Sequence, residues 1–328
     1  MKESNVKARS NISVAMCTFN GERFLQQQLS SISEQTTLPF ELVISDDLST
    51  DRTRSLIQQF ADSAEFPVRV INNPRNMGII ANFQQVLESC EGDFIALADQ
   101  DDVWSETRLA EFSAAIEDNE SPLPTLYYTN PLLIDGSGRS LGESFLDRTG
   151  VAPPVQLWKL LVVGNLLPGC CLVFDRRLLE LILPIPKSAI MHDWWILLVF
   201  SLAGNVQGLA GATTFYRLHE DNSLGINTVS QSLVKAQSSG VLNTLRSNLL
   251  AAIMQSQSGV RRLEQQGLTA PQGIEAFYKC FSHGRFLRPL KLYRLGITRG
   301  APGKTLRMLF ASTLLGDTTL QTTQAEYQ

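Results

Sequence analysis

The amino-acid sequence predicts an α/β fold, a mostly parallel sheet flanked by helices, with a helical extension at the C-terminal end. Over the first 135 residues, short apolar runs alternate with stretches whose apolar residues recur at helical spacing. Runs of strand type stop near residue 227, and the remaining sequence is helical in pattern. Strands that alternate with helices in this way lie parallel and are joined by right-handed crossovers.

The elements of the first part follow one another regularly. Residues 12–19 form an apolar run typical of a buried strand, and residues 22–35 carry Leu25, Leu29 and Ile32 at the i, i+4 and i+7 positions of a helix. The same alternation continues with strand 41–45, helix 52–60, strand 68–71, helix 79–90, strand 94–98, helix 106–116 and strand 125–128. Residues 136–225 are less regular.

Composition and charge limit the classes of protein to consider. The chain has 328 residues, of which 44% are hydrophobic and 18% charged, which excludes a disordered, collagen-like or disulfide-scaffold protein. The formal charge of -4 predicts no nucleic-acid partner. The charge is uneven, because eight basic and no acidic residues lie between Glu275 and Asp317, leaving 20 basic against 32 acidic residues elsewhere.

Targeting and redox signals point to the cytoplasm. The N-terminal residues are polar and lead directly into a strand-like run, unlike a signal peptide. No apolar run approaches the ~20 residues of a membrane-spanning helix. The cysteines are odd in number, lack a CxxC pair and lie mostly in apolar stretches, so we expect buried thiols without disulfides or zinc: Cys17, Cys90, Cys170, Cys171 and Cys280.

Polar residues follow each of the first four predicted strands. Residues 18–22 follow the first strand, Asp46 and Asp47 the second, residues 72–78 the third and residues 99–102, Asp-Gln-Asp-Asp, the fourth. Ligands of such sheets bind beyond the carboxyl ends of the strands. Crowded carboxylates repel one another unless a cation compensates, so the pattern predicts Mg²⁺ or Mn²⁺ with a bound diphosphate. A solvated turn or a helix N-cap is the alternative for any one aspartate pair.

Several common catalytic motifs are missing from the sequence. It contains neither GxGxxG nor GxxxxGK[ST], so a dinucleotide-binding turn and a P-loop lose their usual support. It also contains neither HExxH nor GxSxG, which argues against a zinc metalloprotease and a serine hydrolase.

Taken together, the polar segments resemble a known family, the family-two glycosyltransferases with the GT-A fold. The pattern is most similar to the bacterial rhamnosyltransferase-like branch that builds surface polysaccharide. The segments that carry the resemblance occur in the family's order across residues 12–225: TFNGERFLQQQLSSISEQ, ELVISDDLSTD, NPRNMGIIANFQQVL, GDFIALADQDDVW, NLLPGCCLVF, HDWWILLVFSLAG and YRLHEDNSLG. The resemblance implies a GT-A domain at 1–227, with a nucleotide-sugar-binding half at about 10–135 and an acceptor half at about 136–227. Residues 228–328 form a helical, basic region.

The resemblance also implies roles for individual residues. It places these residues around the nucleotide sugar: Thr18, Phe19, Asn20, Glu22, Asp46, Asp47, Asn76, Gly78, Asn82, Asp99 and Gln100. Asp101 would be the principal metal ligand of a D-x-D motif, with Asp99 facing the ribose or the metal. Phe19 stands where the family commonly has Tyr, and it keeps an aromatic face on which a base can stack.

Three further residues are candidates with open alternatives. Asp193 corresponds to the family's catalytic base, and desolvation by the neighbouring tryptophans would raise its pKa toward the working pH; a helix N-cap is its structural alternative. His219 is a candidate metal or diphosphate ligand. Arg217 is either a diphosphate clamp or part of a surface ion pair.

These roles imply an inverting, metal-dependent glycosyltransferase. It would move a sugar, with rhamnose as a candidate, from a nucleoside-diphosphate donor to a hydroxyl of a glycan or lipid-linked acceptor in surface polysaccharide synthesis. One base and direct displacement predict inversion at the anomeric carbon. The alternatives are a nucleotidyltransferase and a non-catalytic nucleotide-sugar-binding subunit.

The basic region predicts a further contact. Arg285, Arg288, Lys291 and Arg294 recur every three residues among leucines, a pattern compatible with short amphipathic helices. Several basic residues near an anionic leaflet would hold the enzyme peripherally at the inner face of the plasma membrane through residues 279–307. A solvated helical face or an oligomer contact is the alternative.

Overall fold

The computed structural model describes residues 7–220, 240–282 and 284–315. They divide into two compact units. Unit 1 comprises the described residues up to Phe145 together with Leu167–Ile185 and Gly204–His219, and unit 2 comprises Leu146–Leu166, Pro186–Ala203 and the described residues from Glu220 onward. The boundary predicted near residue 227 lies outside the described residues.

The strands all belong to unit 1 in the described part of the chain. Their bounds are β1 Ala8–Arg9, β2 Ile12–Thr18, β3 Thr37–Leu38, β4 Glu41–Asp46, β5 Val68–Asn72, β6 Phe94–Ala98, β7 Val103–Trp104, β8 Thr125–Tyr128, β9 Leu132–Ile134, β10 Ser140–Ser144, β11 Leu172–Asp175, β12 Asn205–Gly208 and β13 Thr214–Arg217. The five predicted strands of the first part are confirmed to within a residue of each end as β2, β4, β5, β6 and β8.

The helices occur in both units. Their bounds are α1 Leu25–Ser33, α2 Thr53–Ser63, α3 Ile79–Ser89, α4 Arg108–Glu117, α5 Phe145–Thr149, α6 Trp158–Leu161, α7 Leu179–Ile182, α8 His192–Ala203, α9 Gly240–Gln265, α10 Ile274–Lys279, α11 Arg288–Arg294 and α12 Pro302–Thr313. The four helices from α9 to α12 confirm the predicted helical extension. No helix in the described ranges is long and apolar enough to cross a membrane.

The main sheet has seven strands in the order β12-β8-β11-β6-β2-β4-β5. Every neighbouring pair is parallel except for the two pairs made by β11, which runs antiparallel to β6 and β8. The mostly parallel sheet is therefore confirmed, with one reversed strand that the sequence pattern did not reveal. The register pairs Thr18 with Asp46 and Asp46 with Asn72, so the carboxyl ends of β2, β4 and β5 are level.

The helix α1 shows how the apolar pattern builds the core of unit 1. Leu25, Leu29 and Ile32 are fully buried, as their spacing predicts, and they belong to the apolar cluster that includes Val14 and Met16 of β2. Burial of side chains of this size contributes roughly 1.5–3 kcal/mol each to folding. This packing fixes α1, and with it the loop that precedes the helix.

A second, four-stranded sheet in unit 1 has the order β10-β9-β13-β7. Strand β13 pairs antiparallel with β7 through Thr214 and Trp104, and parallel with β9 through Arg217 and Ile134. Since β7 begins directly after residues 99–102, this pairing brings the end of β13 beside the acidic loop.

Unit 2 contains the apolar helix α8 and the long helix α9. Most of α8 is buried, and a Cβ added at Gly259 of α9 would lie 3.1 Å from Leu202 and 3.6 Å from Trp195 of α8. A glycine at this position therefore allows the two helices to approach closely.

The cysteines are all free thiols, as expected; four are buried, and Cys17 is partly exposed.

Candidate active site

The loop after β2 is held by side chains of the loop after β4. The backbone N–H groups of three consecutive residues, 20–22, donate to side-chain oxygens of the second loop at 2.8–3.0 Å: Asn20 to Ser49, Gly21 to Thr53 and Glu22 to Asp51. These bonds hold residues 20–22 outside helical geometry, and for this reason α1 begins at Leu25 rather than at the predicted residue 22.

The same two loops are also linked in the opposite direction. Asn20 Oδ1 accepts from the backbone N–H of Thr50, and Glu22 Oε2 accepts from that of Arg52, each at 2.9 Å. Asn20 has a φ of 47°, in the left-handed region that asparagine tolerates better than most residues. Both side chains, predicted to line the nucleotide pocket, hold the neighbouring loop in this structure.

Asp46 lies fully buried at the end of β4. Its Oδ1 accepts from Thr18 Oγ1 at 3.0 Å, and its Oδ2 accepts from the N–H of Ser49 at 3.0 Å and from Arg54 Nε at 2.6 Å. Burial by itself raises the pKa of Asp46, but the hydrogen bonds from Ser49 and Arg54 outweigh it and hold the pKa below its ordinary value. Asp46 and Thr18 therefore stabilise the loop, and their contact with the nucleotide stays a prediction.

Asp47 orders the loop after β5. Its Oδ1 accepts from the backbone N–H of Met77 at 2.7 Å and from Asn73 Nδ2 at 3.1 Å, while its Oδ2 accepts from the N–H of Gly78 at 2.9 Å. Gly78 has a φ of 79°, which a side chain would strain. The loop that contains Asn76 and Gly78, predicted to lie at the nucleotide sugar, is thus built around this carboxylate.

Two asparagines complete that loop. Asn76 Nδ2 donates to the carbonyl of Asp47 at 3.3 Å. The buried Asn82 donates from Nδ2 to the carbonyl of Ser45 at 3.0 Å and accepts from Asn73 Nδ2 at 2.9 Å. Both residues shape the loop, as the resemblance implies.

Gln100 connects the acidic loop to Phe19. Its Oε1 accepts from the Phe19 N–H at 2.9 Å, and its Nε2 donates to the Phe19 carbonyl at 3.1 Å. A Cβ at Gly21 would lie 2.3 Å from Gln100 Oε1, so the Gln100 side chain would have to move if residue 21 carried one. The Phe19 side chain is 47% exposed, which leaves an aromatic face open for a stacked ring.

Asp101 and His219 lie together. His219 Nε2 is 2.8 Å from Asp101 Oδ2, and the imidazole packs against the ring of Phe24 with a centroid distance of 4.8 Å. The side chain of His219 is only 7% exposed, and that of Asp101 is 17% exposed. The two predicted metal ligands, 118 residues apart in sequence, are therefore brought to one point by the pairing of β13 with β7.

Arg217 is buried and braces the acidic loop. Its Nε donates to the carbonyl of Asp101 at 2.7 Å, its Nη2 to Gln27 Oε1 at 2.6 Å, and its backbone N–H to Asp102 Oδ1 at 2.9 Å. Its burial contradicts the predicted surface ion pair, whereas the predicted diphosphate clamp stays a prediction. Arg217 positions Asp101 because its guanidinium bonds to carbonyl groups of the protein.

At the acidic loop, Asp99, a predicted ligand, lies close to Asp102 and Cys170, to which the sequence assigned no individual role. Carboxylate oxygens of Asp99 and Asp102 and the thiol of Cys170 lie within 4.8 Å of one another. Asp102 is fully buried, and burial, followed by the charge of Asp101, raises its pKa to about 7. Asp102 directly follows the D-x-D residues and could have been suspected, whereas Cys170 lies in an apolar run that gave no signal.

This set of residues fits a divalent cation. Ligands about 2.1 Å from an octahedral Mg²⁺ lie roughly 3 Å from one another, and the Asp101–His219 separation is close to that value. Carboxylate oxygens suit Mg²⁺ and Mn²⁺, and imidazole is acceptable to Mn²⁺. The closely spaced carboxylates of residues 99–102 are the kind of charge that a cation compensates.

Asp193 and His192 belong to unit 2, in the first turn of α8. Asp193 is buried, and its Oδ1 accepts from the N–H of Trp194 at 2.6 Å; it lies inside the first turn of α8 and not at the N-cap position that the structural alternative named. Burial lowers the pKa of His192 to about 3, which keeps the imidazole neutral near pH 7. The catalytic role of Asp193 stays a prediction.

The main sheet is mostly parallel, and an acidic loop follows β6 at its carboxyl end. A small second sheet brings a histidine to that loop. These features indicate the GT-A class of enzymes. Comparison with known proteins agrees. Residues 13–134 match the family described as Glycosyl transferase family 2. The matched residues and the fold therefore indicate a glycosyltransferase of GT-A type.

Relatives extend this comparison. The chain is 27% identical over 225 residues to the dTDP-rhamnosyl transferase RfbG of Shigella flexneri, an alignment that covers 65% of this chain and 74% of that protein. It is 31% identical over 111 residues to WfgD of Escherichia coli, a UDP-Glc:alpha-D-GlcNAc-diphosphoundecaprenol beta-1,3-glucosyltransferase, covering 34% of this chain and 43% of WfgD.

Among solved structures, the crystal structure of S. aureus TarS 1-349 in complex with UDP-GlcNAc has the same fold. The TM-score is 0.54 at 16% identity, and the match covers 95% of this chain and 92% of that one.

Proposed function

We propose that this chain is an inverting, metal-dependent glycosyltransferase that moves a sugar from a nucleoside-diphosphate donor to an acceptor hydroxyl. The observation that carries the proposal is the Asp101–His219 pair, 2.8 Å apart, at the acidic loop of residues 99–102 that follows β6. Carboxylates crowded in this way favour a cation and the diphosphate that accompanies it.

The described residues divide the work of donor binding. Phe19 offers its ring to the nucleotide base, and Gln100 holds the Phe19 peptide in place. Asp46 and Asp47 keep the adjoining loops ordered and act on the donor only through those loops. Arg217 holds the main chain at Asp101.

A divalent cation, Mg²⁺ or Mn²⁺, would be held by Asp101, His219 and Asp99 and would neutralise charge on the diphosphate leaving group. Preorganised ligands of this kind lower the barrier, because they need no rearrangement as the charge develops.

We propose Asp193 as the general base, as the resemblance implies. A base that accepts the proton of the acceptor hydroxyl contributes typically ~10²–10⁴-fold to the rate. Direct attack by that hydroxyl, with no nucleophile from the protein, inverts the anomeric carbon.

The names of the relatives suggest the substrates to test first. RfbG is a dTDP-rhamnosyl transferase, which supports rhamnose carried by dTDP as the first candidate donor. WfgD acts on a sugar linked to diphosphoundecaprenol, which supports a lipid-linked acceptor in polysaccharide synthesis at the inner face of the membrane.

Two substitutions test this function, with donor binding measured by titration calorimetry and turnover by release of the nucleoside diphosphate. Asp101→Ala should abolish metal-dependent binding of the donor, because the cation loses its principal ligand. Asp193→Asn should leave donor binding unchanged and reduce turnover by at least about 100-fold.

The exposed Asp118→Asn serves as the matched control and should change neither quantity. Near-full turnover by Asp193→Asn would exclude Asp193 as the base. Donor binding by the wild type without any turnover on a range of acceptors would instead favour the non-catalytic alternative.

A further inference from the structure

A surface of unit 2 combines exposed apolar and basic side chains. Helices α11 and α12 and the residues just before α11 expose six large apolar side chains: Phe286, Leu287, Leu290, Tyr293, Leu306 and Phe310. Three of them are about 70% exposed or more, with Phe286 at 78%, Leu306 at 69% and Tyr293 at 68%. Four exposed basic residues lie among them: Arg285, Lys291, Arg294 and Arg307. These ten residues are called the apolar–basic face below.

Residues of the apolar–basic face and residues of the core of unit 2 lie on opposite sides of each helix. In α11, Arg288 and Leu292 are buried at i and i+4, while Leu287, Leu290 and Arg294 occupy the opposite side.

In α12 the division is the same. Met308 and Ala311 are buried, whereas Leu306, Arg307 and Phe310 point outward at i, i+1 and i+4. Each helix therefore presents an outer side that holds both large apolar groups and positive charge.

Arg288 fixes the two helices to each other. The sequence predicted it in the exposed basic series with Arg285, Lys291 and Arg294, but it is fully buried. Its Nη1 donates to the carbonyls of Ser312 and Leu315 at 2.6 and 2.8 Å, and its Nε donates to that of Cys280 at 2.9 Å. The first turn of α11 is thus tied to the last turn of α12, and the outer sides are held together as one surface.

The chemistry of the face indicates its partner. The sequence between Glu275 and Asp317 contains no acidic residue, and none of the ion pairs within residues 7–220, 240–282 and 284–315 involves the four exposed basic residues of the face. A second copy of the chain would bring like charges together, because a two-fold interface places the same patch on both sides. Large apolar groups among basic residues complement a surface with negative headgroups above hydrocarbon.

We propose that the apolar–basic face binds anionic phospholipid bilayers, with Phe286, Leu290 and Phe310 inserted between the headgroups and the exposed basic residues against lipid phosphates. The face contains none of the residues assigned above to the donor, the cation or the base. Membrane binding and transfer can therefore fail independently in an experiment.

The experiment measures flotation of the full-length chain with vesicles. Wild-type protein should bind vesicles that contain phosphatidylglycerol and bind pure phosphatidylcholine vesicles much more weakly, and added salt should reduce the binding. The triple variant Phe286→Ser, Leu290→Ser, Phe310→Ser should lose at least about tenfold in affinity, since it removes the inserted groups.

Charge reversal of Arg285, Lys291, Arg294 and Arg307 to Glu should also lose at least about tenfold and should remove the salt dependence. The matched control reverses four exposed basic residues of unit 1, Lys7, Arg9, Arg139 and Arg176, and should bind like wild type. A control of the apolar type, Val155→Ser with Leu268→Ser, should likewise have no effect; both side chains are exposed outside the face.

Circular dichroism checks that every variant is folded, and release of nucleoside diphosphate from the donor, during transfer to a soluble acceptor, checks that the donor site is intact. The proposal is wrong if the wild-type protein does not bind anionic vesicles. It is also wrong if the unit 1 control loses as much vesicle affinity as the charge-reversed face. Sedimentation velocity tests self-association. If the wild type is a dimer that does not bind vesicles, and the triple variant is a monomer, the face is a dimer interface and the proposal is wrong.

Discussion

Two aspartate-rich loops of unit 1 differ in how their negative charge is satisfied. In the loop after β4, Asp46 and Asp47 accept hydrogen bonds from backbone N–H groups, side-chain amides and hydroxyls and one arginine. In the loop after β6, Asp102 accepts a hydrogen bond from the N–H of Arg217. Burial and the nearby charge of Asp101 raise the pKa of Asp102. Donors of the protein compensate the negative charge of the first loop, whereas the second loop retains carboxylates suited to a cation.

The comparison separates structural carboxylates from functional ones. Both loops follow parallel strands and both contain adjacent aspartates, so the sequence pattern alone treats them alike. The difference lies in the donors around them, since a carboxylate that accepts several hydrogen bonds keeps its charge at little energetic cost.

The largest effect expected from this comparison is on stability at Asp47. Asp47→Asn should lower the free energy of unfolding by about 3 kcal/mol, because an amide cannot accept all the bonds from Asn73, Met77 and Gly78. Urea unfolding measures the change. Asp101→Asn should leave the free energy of unfolding unchanged or raise it slightly, because it removes a like charge beside Asp102.

The exposed Asp118→Asn is the control for the chemical change itself and should be neutral. Equal destabilisation by Asp101→Asn and Asp47→Asn would show that the two loops are held in the same way, contrary to the comparison.

A smaller effect concerns the pH dependence of stability at Asp102. Its pKa of about 7 in the folded chain lies above the ordinary 3.8, so between about pH 4 and 7 the folded state binds more protons than the unfolded state. The contribution of this group to stability is present at the acidic end and is lost as the pH rises through that window.

Relative to Asp102→Asn, the wild type should therefore lose about 2 kcal/mol of unfolding free energy between pH 4.5 and 7.5, measured in EDTA. A difference between the two proteins that stays constant with pH would contradict a raised pKa of Asp102 in the folded chain.

The smallest expected effect concerns the link between the two strand-end loops. Gln100→Ala should raise the donor KM about fivefold, equivalent to about 1 kcal/mol, with little change in kcat, because Phe19 loses the two bonds that hold its peptide.

Gly21→Ala should produce a similar change, since the added methyl group would displace Gln100. The double variant should be no worse than either single one, because both remove the same link. Additive losses in KM would show that Gly21 acts through something other than Gln100.

Much of the main sheet could be predicted from the sequence, because most of its strands are apolar runs of four to seven residues and their signal is local. The second sheet could not, since several of its strands have only two to four residues and are stabilised by partners about 80 to 110 residues away. Asp101 and His219 were each predicted as ligands, but their contact depends on that second sheet.

The sequence by itself determined the order of strands and helices around the main sheet and the position of the acidic loop at the end of β6. It also determined the concentration of positive charge between residues 279 and 307, because composition and periodicity are properties of neighbouring residues. Only the tertiary structure decided which charged groups are available to a ligand. Arg217 and Arg288 are both buried against main-chain carbonyls contributed by residues distant in sequence, and the number of donors and acceptors around a charge is fixed only when the chain has folded.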